Sequence, residues 1–256
     1  MKARNLVLPL LLSLSLGTAS AQFLSPSGSF GVLFNKWPQA GSTSTGVLAV
    51  LNFDGAGNIT GTYTFVGIAP TAVTGSLTGT YSDNQDGTAN ADIVLDVGGG
   101  SEVTATLVTT DGGNGFLILL TGGPALDPSA VVTGTGRIQS VAPPAGSYGY
   151  VLNQWPDANS IAVASLGVVG LDGAGNLNVS YAVMPSPSGP ITGTVTGTYK
   201  MSPDGSITAT VGSGASAFTI AMVVTDGGSG LLMLVSGGPI FGNGTGTVVS
   251  GTARLQ

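Results

Sequence analysis

The 256-residue chain contains no cysteine and no histidine, and only 7 % of its residues are charged. A soluble domain usually carries about a quarter charged residues, so Thr, Ser, Asn and backbone must do most of the solvation here. Without His or Cys there is no zinc site of the usual kind, no thiol nucleophile, no Ser-His or Cys-His dyad and no disulfide framework. Lys and Arg together number six, two of them at the extreme N-terminus. That is no nucleic-acid footprint, and no nucleic-acid partner is expected. No cofactor and no metal are expected, and no residue presents itself as catalytic.

Residues 1–21 read as a secretory signal peptide. Lys2 and Arg4 form a positive n-region and Leu6 to Leu16 an apolar h-region, and Ala19-Ser20-Ala21 supplies small residues at −3 and −1 ahead of Gln22. The apolar run is too short for a membrane-spanning helix, which needs about 20 residues, and no Cys follows it to take a lipid. Cleavage removes two of the six basic residues and none of the twelve acidic ones. The expectation is a secreted or periplasmic/cell-surface protein, bacterial because small animal secreted modules usually carry disulfides. No transmembrane helix is expected after cleavage.

What the chain does contain is one module written twice. Gly28-Ser29-Phe30-Gly31 leading to Asn35-Lys36-Trp37-Pro38 recurs as Gly146-Ser147-Tyr148-Gly149 leading to Asn153-Gln154-Trp155-Pro156. Asp54-Gly55-Ala56-Gly57-Asn58 recurs as Asp172-Gly173-Ala174-Gly175-Asn176, and Thr78-Gly79-Thr80-Tyr81 as Thr196-Gly197-Thr198-Tyr199. These pairs share an offset of 118, which falls to 115 where Asp111-Gly112-Gly113 meets Asp226-Gly227-Gly228. It ends at 117, where Arg137-Ile138-Gln139 matches Arg254-Leu255-Gln256. A period of this size suits a whole domain. Two homologous domains, 22–139 and 146–256, are therefore expected on either side of a proline-containing linker, 140–145.

Each copy alternates with period 2. In Ile191 to Tyr199, Ile, Gly, Val, Gly and Tyr share one face and four Thr the other, and no 3.6-residue stripe competes. Asp-Gly and Gly-Gly turns separate such runs and supply the positive φ that tight hairpins need. The fold class is all-β: two tandem antiparallel up-and-down barrels of about eight strands each, with two β-sandwiches as the alternative. Inward Gly61, Gly75, Gly79, Gly193 and Gly197 give coiling strands room to bend, which favours the barrel.

Four stretches are apolar on both faces: Leu48 to Leu51, Val163 to Val169, Phe116 to Leu120 and Leu231 to Val235. A strand apolar on both faces is covered on both sides, so these outer faces are expected to pack the barrels together or to form an oligomer contact. A single sixteen-stranded membrane barrel is the alternative. It lacks the aromatic girdles such barrels carry, the chain having two Trp and six Tyr.

The residues that carry chemistry are few. Asp54 with Asn58, and Asp172 with Asn176, suit either a calcium loop or a hairpin turn, but calcium wants six to eight oxygens and each loop offers one carboxylate. Glu102, Asp92 and Asp96 do not recur in the second copy and read as a solvated strand face rather than a catalytic carboxylate pair. Arg137 and Arg254 suit either a bridge to a nearby Asp or closure of the barrel bottom. Threonine rows, Thr74 to Thr80 and Thr192 to Thr198, suit a polysaccharide surface or plain outward strand positions. Trp37 and Trp155, each beside an Asn, suit either the aromatic wall of a barrel mouth or a plug at the barrel end.

Asp54 to Tyr63 followed by Leu77 to Tyr81 resembles the early hairpins of avidin/streptavidin-type eight-stranded barrels. That resemblance implies a small ligand in the open barrel end, with Asn35 and Tyr63, and Asn153 and Tyr181, at the early-strand polar contacts. The family's later strands bring tryptophans to the pocket, whereas Phe116 to Leu120 and Phe218 to Val224 have none, so biotin binding is not implied. The chain is also similar to tandem Gly/Thr-rich secreted bacterial β-domain proteins with DGxGN turns. The expected function is a non-enzymatic binding or cell-surface/matrix interaction module, its partner a small molecule, a polysaccharide or a protein surface. Small-ligand binding at the barrel mouths, through Asn35, Trp37, Tyr63, Asn153, Trp155 and Tyr181, is the second reading, and an isomerase or hydrolase the third.

Overall fold

Strands that alternate Thr with small or apolar residues, punctuated by glycine turns, curl here into closed cylinders. The computed structural model describes residues 26–37, 44–67, 72–96, 100–123, 131–155, 163–185, 189–238 and 248–256; the side chains of Trp37, Trp155 and Pro185 lie outside that description, as do residues 1–25. The first barrel is formed by β1 (Gly28–Trp37), β2 (Thr45–Phe53), β3 (Asn58–Val66), β4 (Val73–Asp83), β5 (Thr88–Leu95), β6 (Ser101–Thr110), β7 (Gly115–Gly122) and β8 (Val131–Ile138). The second is formed by β9 (Ala145–Trp155), β10 (Val163–Asp172), β11 (Asn176–Pro185), β12 (Ile191–Met201), β13 (Ser206–Val211), β14 (Phe218–Thr225), β15 (Gly230–Gly237) and β16 (Val248–Leu255). Within each barrel every strand pairs antiparallel with its sequence neighbours, and β8 returns to β1 as β16 returns to β9. The barrel expectation holds over the sandwich, and two closed cylinders replace the single sixteen-stranded one.

Glycine at inward positions permits the tight coiling. A Cβ on Gly61 would lie 1.9 Å from the Val50 carbonyl oxygen, and one on Gly197 2.1 Å from that of Thr210. Any other residue would hold those strands apart. In the first barrel the rings of Phe30, Phe53, Phe116 and Tyr81 interlock at centroid separations of 5.1–5.7 Å, in the edge-on and tilted arrangements that aromatic quadrupoles favour. The repeat puts Tyr148, Leu171, Leu231 and Tyr199 there in the second barrel, all buried. Outward Thr rows on β4 and β12 are exposed, as the alternation requires.

The short-turn ends are closed by matching hydrogen bonds. Tyr81 donates to the Pro26 carbonyl (3.1 Å) and Tyr199 to that of Pro144 (3.2 Å). In each DGAGN turn the Asp accepts from two backbone amides and from the Asn side chain, at 2.7, 2.9 and 2.6 Å for Asp54 and 2.8, 2.9 and 2.6 Å for Asp172. Both carboxylate oxygens serve the turn, which accounts for these residues as hairpin chemistry. Arg137 pairs with Asp111 and Arg254 with Asp226, so the arginines bridge to neighbouring acids.

The barrels pack side by side. Leu33, Leu48 and Val50, joined by Val66, bury their outward side chains against Ala221, Val223, Leu232, Leu234 and Val248. Each large side chain fully withdrawn from water contributes about 1.5–3 kcal/mol. Of the four stretches apolar on both faces, Leu48 to Leu51 and Leu231 to Val235 are thus covered by the neighbouring barrel. The other two are not: Leu117, Leu119 and Leu166 remain exposed. No helix among the described residues is long and apolar enough to cross a membrane.

Candidate functional site

In the half of the second barrel towards its long connections, inward side chains leave a cavity of about 550 Å³. Its deeper wall is Leu177, Ala209, Met222 and Met233, and its rim includes Leu152, Val163, Val183, Ile191, Phe218 and Val235. Apart from Phe218, which follows the described segment 212–217, the rim residues lie near strand ends that lead into the connections 156–162, 186–188 and 239–247, which lie outside the described residues. The opposite end is shut by Tyr148, which is fully buried and donates to the Gly228 carbonyl (2.7 Å).

The polar groups facing this space are hydroxyls. Tyr150 and Ser165, both buried, lie 3.3 Å apart, oxygen to oxygen, on neighbouring strands. Burial, chiefly, pushes the Tyr150 phenol above its ordinary pKa, with the Ser165 hydrogen bond acting in the opposite sense, so Tyr150 stays neutral at physiological pH. Tyr181 lies across Gly193, where a Cβ would stand 2.5 Å from its hydroxyl. Among the described residues no charged side chain lines the cavity, so it suits an uncharged, largely apolar guest; an ion there would forfeit its hydration without compensation.

The first barrel treats the matching tyrosine differently. Tyr63 lies across Gly75 and donates to Asp96 (3.0 Å), which also accepts from the Ser76 amide (2.9 Å) and hydroxyl (2.7 Å). Burial first, and then this bond, push the Tyr63 phenol up to about 12. The Ser76 hydrogen bonds hold the Asp96 carboxyl below its usual range. The second copy has a shorter glycine-rich loop, Gly212 to Ala217, in place of the Asp96 segment and no carboxylate in it, so the carboxylate partner belongs to the first barrel alone.

Of the six residues expected at the barrel mouths, the four whose side chains are described are not brought together. Tyr63 and Tyr181 point inward, one in each barrel. Asn35 and Asn153 point outward, because β1 turns Phe30, Val32 and Phe34 inward and β9 does the same with Tyr148, Tyr150 and Leu152. Asn35 accepts from Ser250 of the other barrel (2.7 Å), and both Asn line a groove between the barrels. Trp37 and Trp155 end β1 and β9, and their side chains lie outside the described residues. Tyr150 and Ser165 were missed in the sequence. The available signal was a polar residue at an inward position in one copy only, Tyr150 standing where the first copy has Val32 and Ser165 where it has Val47.

No family model matches the chain, and no curated protein matches it. Among solved structures, the crystal structure of CghA with Sch210972 is similar over 91 % of this chain and 90 % of that one, at 11 % identity and a TM-score of 0.25. A likeness that slight bears on neither fold nor function. The two closed eight-stranded barrels share the general architecture of avidin-like barrels.

Proposed function

We propose that this is a non-enzymatic, exported binding protein whose second barrel holds an uncharged, apolar small molecule. The observation that carries the reading is the cavity of about 550 Å³, within the range of about 300–1,000 Å³ typical of ligand sites. Its wall is largely apolar with a few placed polar groups, the usual make-up of a small-molecule site. Tyr150, Ser165 and Tyr181 supply the few placed hydroxyls that orient such a guest. Asn35 and Asn153, facing outward, have no part in this site. Export rests on residues 1–21, and the chain recovered outside its host cell should begin at Gln22.

Titration with N-phenyl-1-naphthylamine, an uncharged apolar fluorophore, tests the reading. One molecule bound per chain, displaced by the extract of protein purified from its own host, is the expected result. Absence of saturable binding, together with a native mass spectrum free of any adduct, would sink it.

A further inference from the structure

The two barrels meet through unlike faces. The first offers the outside of β1–β3 and the second the outside of β14–β16. Under the internal repeat, β1–β3 correspond to β9–β11 and β14–β16 to β6–β8. Each barrel therefore bears one used face and one unused copy of the face its partner presents.

The unused copies keep their apolar residues. On β9–β11, Val151, Leu166, Val168 and Met184 stand at the positions of Leu33, Leu48, Val50 and Val66. On β6–β8, Val108, Leu117, Leu119 and Val131 stand at the positions of Val223, Leu232, Leu234 and Val248. All but Val168 are between 43 and 62 % exposed, and they make up most of the large hydrophobic residues that the described surface leaves in water. Their counterparts in the seam between the barrels are buried or nearly so.

The residues that make the polar contacts have chemically similar counterparts too. Across the seam Ser250 donates to Asn35 and Thr62 to Asp204, each at 2.7 Å, and the Arg137 guanidinium lies 3.7 Å from Asp226. Their counterparts are Thr133 with Asn153, Ser180 with Asp86, and Arg254 with Asp111. In every pair one member lies on the second barrel and the other on the first. Two surfaces that match in apolar positions, hydrogen bonds and charge are matched to each other.

We propose that copies of this chain associate head to tail by repeating the contact each chain already makes within itself, β9–β11 of one copy against β6–β8 of the next. Such a heterologous interface closes into a ring when its rotation allows and otherwise runs on as a helical assembly. The assembly curves, because both unused faces flank one side of the seam. The groove there, about 630 Å³, is lined by Leu117 and Leu119 from one barrel and Val151 from the other. Two positions differ in character, one at Gly46 and one at Ala221, where β6 has Thr106 instead. Ala164 replaces Gly46, which touches Val248 and Leu234, so the exposed Val131 must turn aside for the extra methyl.

Sedimentation at micromolar and millimolar concentration tests this, using the mature chain, Leu119→Asp and Leu166→Asp. Both positions are exposed, and near-ultraviolet circular dichroism checks that each variant keeps its fold. The mature chain should form multimers and each variant alone should be monomeric. An equimolar mixture of the two variants should form a complex of two chains, through the one pair of faces left intact. A mature chain monomeric throughout overturns the proposal, and so does one that floats with phosphatidylcholine vesicles as a monomer. A dimer that survives either substitution does the same, since it would mean a symmetric contact elsewhere.

Discussion

Filling the second barrel with the first barrel's own side chains is a direct perturbation of the cavity. Leu152 and Val183 line it, and the repeat places Phe34 and Phe65 at those positions. Leu152→Phe with Val183→Phe adds about seven carbon atoms, worth at most roughly 6 kcal/mol at ~0.8 kcal/mol per buried methylene. Strain from imperfect fit offsets about 1–3 kcal/mol of that. With the larger offset, a net gain of about 3 kcal/mol raises Tm by about 6–12 °C in a chain of this length. The same variant should lose its response to ligand, which in the parent reaches about 2.7 kcal/mol at a hundredfold excess over Kd. Scanning calorimetry with and without N-phenyl-1-naphthylamine reads both effects. A variant that melts lower than the parent and still binds the fluorophore with the parent's affinity would refute the reasoning: the space would then be neither empty nor the place where the guest sits.

Tyr63→Phe should flatten the alkaline limb of stability. A phenol raised from 10.0 to about 12 contributes stability that is whole below pH 10 and is lost as pH rises towards 12, so urea midpoints of parent and variant should differ in slope there. Asp54 and Asp172 are held below 3.8, first by the hydrogen bond from the Asn side chain. Their contribution is present above that pH and lost as pH falls through the lowered value. The double change to Asn should lower stability at neutral pH and soften the acid decline, as followed by circular dichroism. Gly46→Val would place its Cβ 2.6 Å from a Val248 methyl and 2.8 Å from a Leu234 methyl. It should cost about 1–3 kcal/mol in denaturant unfolding, whereas Ala164→Val, on the exposed equivalent, should change the monomer by less than about 0.5 kcal/mol.

Much of the fold was legible because its signals are local. Alternating Thr and apolar residues fix a strand's two faces, Asp-Gly and Gly-Gly fix the hairpins, and the repeat fixes how many times the pattern closes. The candidate site was legible only in part. Tyr63 and Tyr181 sit at inward positions flanked by clear alternation. Asn35 and Asn153 sit in segments apolar at nearly every position, Phe30 to Phe34 and Tyr148 to Leu152, where period 2 is blurred. A shift of one residue there exchanges inside for outside.

The sequence by itself determined the all-β class, the duplication and the positions of the turns. Tertiary structure decided which of two equivalent faces is used. Leu48 and Leu166 hold the same place in the repeat, each two residues before a Val, yet the first is buried against the second barrel and the second is exposed. Local pattern marks a face as sticky, but cover is a relation between two bodies, and a two-barrel chain can satisfy only one pair. The cavity has the same origin. Its volume is the residue of some twenty side chains fitted into one cylinder, a difference that no single position carries.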